Sequence, residues 1–182
     1  MTRYAVFLRG VNVGGVAVKM ADLRRVLADL PLGEVSTLLA SGNVVCTFAG
    51  SSADLKEMVE QALRDGFGYD AWVVVLTAER LGELLAACPY PVDSPETHTY
   101  VTVTNDPPVL DELATVVAAA DPEADETRLG PEAVAWLAPV GGTLSSARSA
   151  IASRSRYRSA ITDRNLRTMI KVRAALEEIA QR

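Results

Sequence analysis

The sequence predicts an α+β fold of two ferredoxin-like halves in tandem, each of the βαββαβ type, with antiparallel sheets and helices on one face. Three observations carry that reading. Short apolar runs and stretches of helical periodicity follow one another in the order strand, helix, strand, strand, helix, strand, complete by about Thr77, which is the split βαβ pattern. The order strand, helix, strand, strand, helix then returns, without an obvious last strand. Between the two, the proline-broken stretch Pro89-Tyr90-Pro91-Val92-Asp93-Ser94-Pro95 is the best linker candidate. The halves are assigned to residues 1–77 and 78–182, with no residue-level repeat between them.

Taken in order, Tyr4-Ala5-Val6-Phe7-Leu8 is an apolar run that stops at glycines and reads as a buried strand. Met20, Leu23, Val26, Leu27 and Leu30 recur at helical spacing, with Arg24, Arg25 and Asp29 on other faces, and Pro31 and Gly33 end that helix. Glu34 to Ala40 and Val44 to Phe48 are strands turning at Ser41-Gly42-Asn43. Ser52 caps a helix whose stripe is Leu55, Met58, Val59, Ala62, Leu63 and Phe67; Gly66 and Gly68 end it, and Ala71 to Leu76 is again a buried strand.

In the second half a short helix spans Ala78 to Cys88, and His98 opens an alternating strand through Thr104. A helix over Val109 to Ala120 lies between Pro107-Pro108 and Pro122, and Thr127-Arg128-Leu129 pairs with Ala133 to Leu137 about a turn at Gly130-Pro131. The final helix is expected from Asp163 to Ile179, capped by Thr162, with Met169, Val172, Leu176 and Ile179 on its apolar face.

Composition limits the function. With 49% hydrophobic and 23% charged residues over 182 positions the chain is globular and able to bury a core. No apolar run approaches the roughly 20 residues of a membrane helix, and Met1-Thr2-Arg3-Tyr4 does not open a signal peptide, so a cytoplasmic protein without membrane partners is expected. Cys46 and Cys88 are not in CxxC spacing, and one histidine serves the whole chain, which argues against zinc. As the sole histidine His98 would have to be the base of any triad, yet no Gly-x-Ser-x-Gly elbow accompanies it. No cofactor is implied.

Two stretches are candidate ligand elements. Leu8-Arg9-Gly10-Val11-Asn12-Val13-Gly14-Gly15 places three glycines, a cation and an amide between a strand and a helix that begins near Lys19. Glycine permits positive φ and close approach of a ligand, so successive N–H groups can converge on an anion in front of the helix. The spacing is neither a dinucleotide fingerprint nor a Walker loop; its alternative reading is a plain strand-to-helix turn. The other stretch is the carboxy-terminal helix, where Arg164, Arg167 and Lys171 recur at i, i+3, i+7 and Asn165 sits in the first turn. Residues 148–182 hold nine Lys/Arg against three Asp/Glu, whereas residues 1–147 hold nine against twenty: a basic tail on an acidic body.

Leu8-Arg9-Gly10-Val11-Asn12-Val13-Gly14-Gly15, Lys19 to Arg24, and Ala40-Ser41-Gly42-Asn43-Val44-Val45 together resemble the amino-terminal half of a widespread bacterial family, domain of unknown function 1697. Its carboxy-terminal signature is matched by Arg164-Asn165, Thr168 and Lys171. The chain departs from it at Leu166, where members carry tryptophan, and at Ser145-Ser146, where a basic residue would follow the serine and Arg148 is displaced. The resemblance implies paired ferredoxin-like domains and no established activity.

The leading expectation is a protein, enzyme or not, that binds a phosphorylated or otherwise anionic small molecule such as a nucleotide. Arg9, Lys19 and the backbone of Gly10, Gly14 and Gly15 would hold it, with Asn12, Ser41 and Asn43 orienting it and Arg164, Asn165 and Lys171 closing a shared cleft. Asp22 is the nearest carboxylate that could act as a base. The alternatives are a nucleic-acid binder using residues 148–173, and a structural or regulatory module without a ligand.

Overall fold

The computed structural model describes residues 1–9, 18–68, 70–142 and 146–181. They form two compact units: residues 1–82 with 171–182, and residues 83–170. The first unit contains β1 (Thr2–Arg9), α1 (Met20–Ala28), β2 (Gly33–Leu38), β3 (Asn43–Phe48), α2 (Ser52–Phe67) and β4 (Trp72–Thr77). Its sheet has the order β2-β3-β1-β4 with every pair antiparallel, the ferredoxin-like arrangement.

One face of this sheet builds the core by simple alternation. Tyr4, Val6 and Leu8 of β1, Val44, Cys46 and Phe48 of β3, and Val73 and Val75 of β4 pack with Leu23 and Leu27 of α1 and Leu55, Val59 and Leu63 of α2. The start of α2 is set by a capping box: the Ser51 hydroxyl accepts from Asp54 N at 3.1 Å, and Ser51 N donates to the Asp54 carboxylate at 3.0 Å. Its end is set by Gly68 at φ 66°, a left-handed cap that donates to Arg64 O at 2.8 Å. The cap therefore falls one residue after Phe67. Burial pushes the Cys46 thiol up to about 11, which makes it an inert core group.

Beyond α3 (Ala78–Ala87), the second unit contains β5 (Thr97–Thr104), α4 (Pro107–Ala120), β6 (Glu126–Gly130), β7 (Ala133–Pro139), α5 (Ala147–Ala152), α6 (Ser155–Arg158) and β8 (Ile161–Asn165). The sheet order β6-β7-β5-β8 repeats the first, again all antiparallel. Val109, Leu110, Leu113 and Val117 of α4 pack with Val134, Ile151, Tyr157 and Ile161.

Several expectations are corrected here, beginning with the cap of α2, which is Ser51, while Ser52 is the first helical residue. The second half does have its last strand: residues 161–165 form β8, paired with β5 from Thr104↔Ile161 to Tyr100↔Asn165. The helical reading fails for Arg164, because a neighbouring edge of β5 outweighs local periodicity, and holds for Arg167 and Lys171, since helix α7 starts at Leu166 and runs to Ala180. Thr162 accordingly lies in the strand, and the amide N–H of Arg167 is capped by the Asn165 side-chain oxygen at 2.9 Å. The division of the chain also differs from a single cut after residue 77, since Lys171–Arg182 group with the first unit. Within that unit the Arg3 guanidinium donates to Leu176 O of α7 at 2.7 Å.

Leu63 is fully buried at the centre of the first core. Leu63→Ala is expected to lower unfolding free energy by about 2–5 kcal/mol through lost burial and a cavity, measured by urea denaturation with an unchanged slope.

Candidate functional site

The first candidate site is one end of the first sheet. β1 and β2 are each antiparallel to β3 and so run in the same direction. The chain must return between them through α1, which therefore begins at the end where β1 stops. That end carries Arg9, half-buried at the last position of β1, Lys19, exposed and in extended conformation (φ −71°, ψ 135°) before α1, and the turn that opens β3. The ladder continues into this turn through Leu8 N, which donates to Gly42 O at 2.8 Å.

Asn43 holds the turn. Fully buried, its amide nitrogen donates to Leu38 O at 2.9 Å and to Ser41 Oγ at 3.0 Å, closing the loop from both sides. Leu39 at φ 58° and Gly42 at φ 72° lie in left-handed backbone, a conformation costing a leucine about 1 kcal/mol, so the amide bridge over-determines the loop. The Ser41 side chain is exposed beside it. Of the expected ligand residues, then, Arg9, Lys19, Ser41 and Asn43 come to one end of one sheet. Gly10, Asn12, Gly14 and Gly15 lie outside the described residues. Asp22 is ion-paired to Arg25 at 2.6 Å on the surface of α1. A groove of about 220 Å³ along the sheet's edge, lined by Glu34, Ser36, Val45, Ala175 and Ile179, involves none of them.

Arg164 and Asn165 are neighbours on β8 and so face opposite sides of its sheet. Arg164 is 7% exposed and donates to Thr162 Oγ1 at 2.7 Å and Asp163 O at 2.8 Å. Lys171 is exposed on α7 in the segment that belongs to the first unit. The basic stripe Arg164-Arg167-Lys171 is thus not a feature of one helix. Much of the basic tail is neutralised within the chain: Arg148, Arg156, Arg167 and Arg173 each pair with a carboxylate.

Two clusters in the second unit escaped the sequence reading. Arg148, 5% exposed, pairs with Glu126, donates to Thr102 Oγ1 at 3.1 Å and lies over the Trp136 ring with 5.1 Å to its centroid. Trp136 stacks on Tyr100 at 5.0 Å and donates to Thr102, whose hydroxyl donates to Asp163 at 2.5 Å. Burial pushes the Arg148 guanidinium's pKa down, against the pull of Glu126 and Asp163. Its Nε is buried without a hydrogen-bond partner among the described residues. The other cluster joins His98 Nδ1 to Asp93 Oδ1 at 2.8 Å and Arg167 to Asp93 Oδ2 at 2.6 Å. The alternation from His98 to Thr104 could have shown that His98, Tyr100 and Thr102 share a face; the approach of Asp93, from a proline-broken segment, has no local signal. Among the described residues no group of three or more His, Cys, Asp or Glu could hold a metal, and no helix is long and apolar enough to cross a membrane.

The architecture defines a class: α+β proteins with two tandem ferredoxin-like halves. Residues 1–134 match the family model described as Protein of unknown function (DUF1697), and the chain belongs to that family. It is also similar to a solved structure, the conserved bacterial protein SP0830 from Streptococcus pneumoniae, at 28% identity and a TM-score of 0.74, over 96% of this chain and 98% of that one. No curated protein matches it.

Two measurements check these clusters. Arg148→Met alone leaves the partly buried Glu126 carboxylate unpaired and is expected to destabilise by about 2–3 kcal/mol, whereas Arg148→Met with Glu126→Leu recovers most of that loss in a denaturation cycle. The hydrogen bond from His98 and, behind it, the Arg167 charge hold the Asp93 carboxyl below its ordinary range. A depressed carboxylate stabilises the fold above its unfolded value and loses that contribution as pH falls through the folded one. Asp93→Asn should therefore flatten the acid limb of stability below about pH 4, the ordinary carboxylate range.

Proposed function

We propose that the first unit binds a phosphorylated or otherwise anionic small molecule, nucleotide-like in class, at the end of its sheet where β1 stops. Arg9 and Lys19 supply charge, the Gly10 to Gly15 backbone supplies N–H donors, and the Ser41 hydroxyl orients the ligand. The observation that carries the reading is Asn43: a fully buried amide that closes the Leu38–Ser41 loop beside the strand leading into the glycines. A side chain so placed fixes where Ser41 stands relative to Arg9, and such pre-organisation is what a binding site needs. Asn43 thereby acts on the loop and through it on the ligand.

The reading rests on the first unit. Arg164 is engaged by its own strand and carries no part in it. The nucleic-acid alternative is weakened by a basic tail in which four of eight arginines are ion-paired within the chain.

Thermal shift against inorganic phosphate and adenosine monophosphate, each at low and high salt, tests the proposal. A saturable rise in Tm is expected for one of these anions, reduced at least tenfold in apparent affinity by Arg9→Ala or Lys19→Ala and unaffected by Arg156→Ala on the second unit. Equal shifts in wild type and in both first-unit variants would overturn it.

A further inference from the structure

We infer that the second unit carries a proton-transfer site, with His98 as general base and Asp93 as its positioning residue, that suits hydrolysis of an aryl ester of a carboxylic acid. The inference is independent of the anion site. His98, Tyr100 and Thr102 alternate along β5 and share one face of the sheet, and Asn165 stands opposite Tyr100 in the β5–β8 ladder, on that same face. Asp93 is held next to His98 by a backbone bridge. The turn between them is rigid: Ser94 Oγ accepts from Thr97 N at 2.8 Å and from Glu96 N at 3.2 Å, and Thr99 Oγ1 donates to Pro91 O at 2.5 Å.

The chemistry follows from what each group can donate. Asp93 is ionised and accepts only, so the proton of its 2.8 Å contact belongs to His98 Nδ1. A neutral imidazole with its proton on Nδ1 carries its lone pair on Nε2, the arrangement a general base requires. Arg167 binds the other Asp93 oxygen and keeps the carboxylate from rotating away. His98 is about 30% exposed, so the ring is accessible to water. Asn165 has its side-chain oxygen committed to Arg167 N, which leaves the amide nitrogen as its donor end. Tyr100, half-buried and stacked on Trp136, offers an aromatic floor between base and amide.

In the step proposed, Nε2 of His98 takes a proton from water as the water oxygen bonds to the ester carbonyl carbon. The carbonyl π pair moves to its oxygen, which accepts from Asn165 Nδ2. The tetrahedral adduct then collapses, the bond from carbon to the aryl oxygen breaks, and the imidazolium returns its proton to the departing aryl oxide. Nothing is oxidised or reduced, and no co-reactant other than water is consumed.

The test uses the full chain and 4-nitrophenyl acetate, with free imidazole at equal concentration as the reference. Saturable hydrolysis exceeding the imidazole rate is expected, falling about 100-fold or more in His98→Gln with its Tm unchanged. Asn165→Ser keeps a helix-capping oxygen but removes the amide donor, and should lower kcat with little change in KM. Because the chain has a single histidine, ¹⁵N chemical shifts report its tautomer directly: Nδ1–H in wild type, shifted toward Nε2–H in Asp93→Asn together with a lower kcat. A wild-type rate no greater than that of imidazole, or an undiminished rate in His98→Gln, overturns the site. A tautomer unmoved by Asp93→Asn overturns the role of Asp93.

Discussion

The rest of the structure depends on two central strands being paired along both edges. β1 is bonded to β3 and β4 along most of its length, and β5 to β7 along most of its length and to β8 from Tyr100 to Thr104. A strand in that position has no free backbone groups to offer, so anything it contributes to chemistry must come from its side chains or from the chain just beyond its ends. This decides where sites can form. Arg9 closes β1 at one end of its sheet, and the buried Asn43 in the neighbouring turn is the polar group that end can tolerate because both its hydrogens are satisfied.

Strands written as apolar runs or bounded by turn residues are legible in the sequence, and so are helices with glycine or proline at their ends. β1, the β2–β3 hairpin, α2 and the β6–β7 hairpin fall where Val6, Ser41-Gly42-Asn43, Gly68 and Gly130-Pro131 place them. β8 was not legible, because Ile161-Thr162-Asp163-Arg164-Asn165 has one apolar residue and earns its strand state from β5, a partner distant in sequence. Of the candidate site, the placing of Arg9, Lys19, Ser41 and Asn43 at one end of the first sheet follows from topology. The burial of Arg164 was not: an arginine in a short edge strand looks solvated until its guanidinium is seen folded onto Thr162 and Asp163 O. Long-range pairs such as Arg148 with Glu126 and His98 with Asp93 leave no periodic trace.

Charge shows the same dependence on tertiary context. The basic tail reads as a binding surface when counted, yet three of its eight arginines answer carboxylates supplied by the acidic body: Glu126 for Arg148, Glu112 for Arg156, Asp93 for Arg167. These pairs differ in weight. Arg156 and Glu112 are about half exposed and screened, contributing under about 1 kcal/mol, whereas Arg148 is inside, where losing its partner is expensive.

The two halves share a topology but not a chemistry, and the reason lies in the connection after each central strand. β1 is followed in the sequence by Gly10, Gly14 and Gly15 before α1, and no proline stands between the strand and the helix. β5 leads through Asn105 and Asp106 into α4, whose first two residues are Pro107 and Pro108. Proline has no N–H, so the corresponding position in the second half lacks two of the donors that an anion would need, and Asp106 adds a negative charge in front of them. A segment of that composition is a poor start for an anion site, and in this half His98 pairs with Asp93 at the opposite end of the central strand. One topology thus presents different side chains and different backbone donors at the ends of its two central strands.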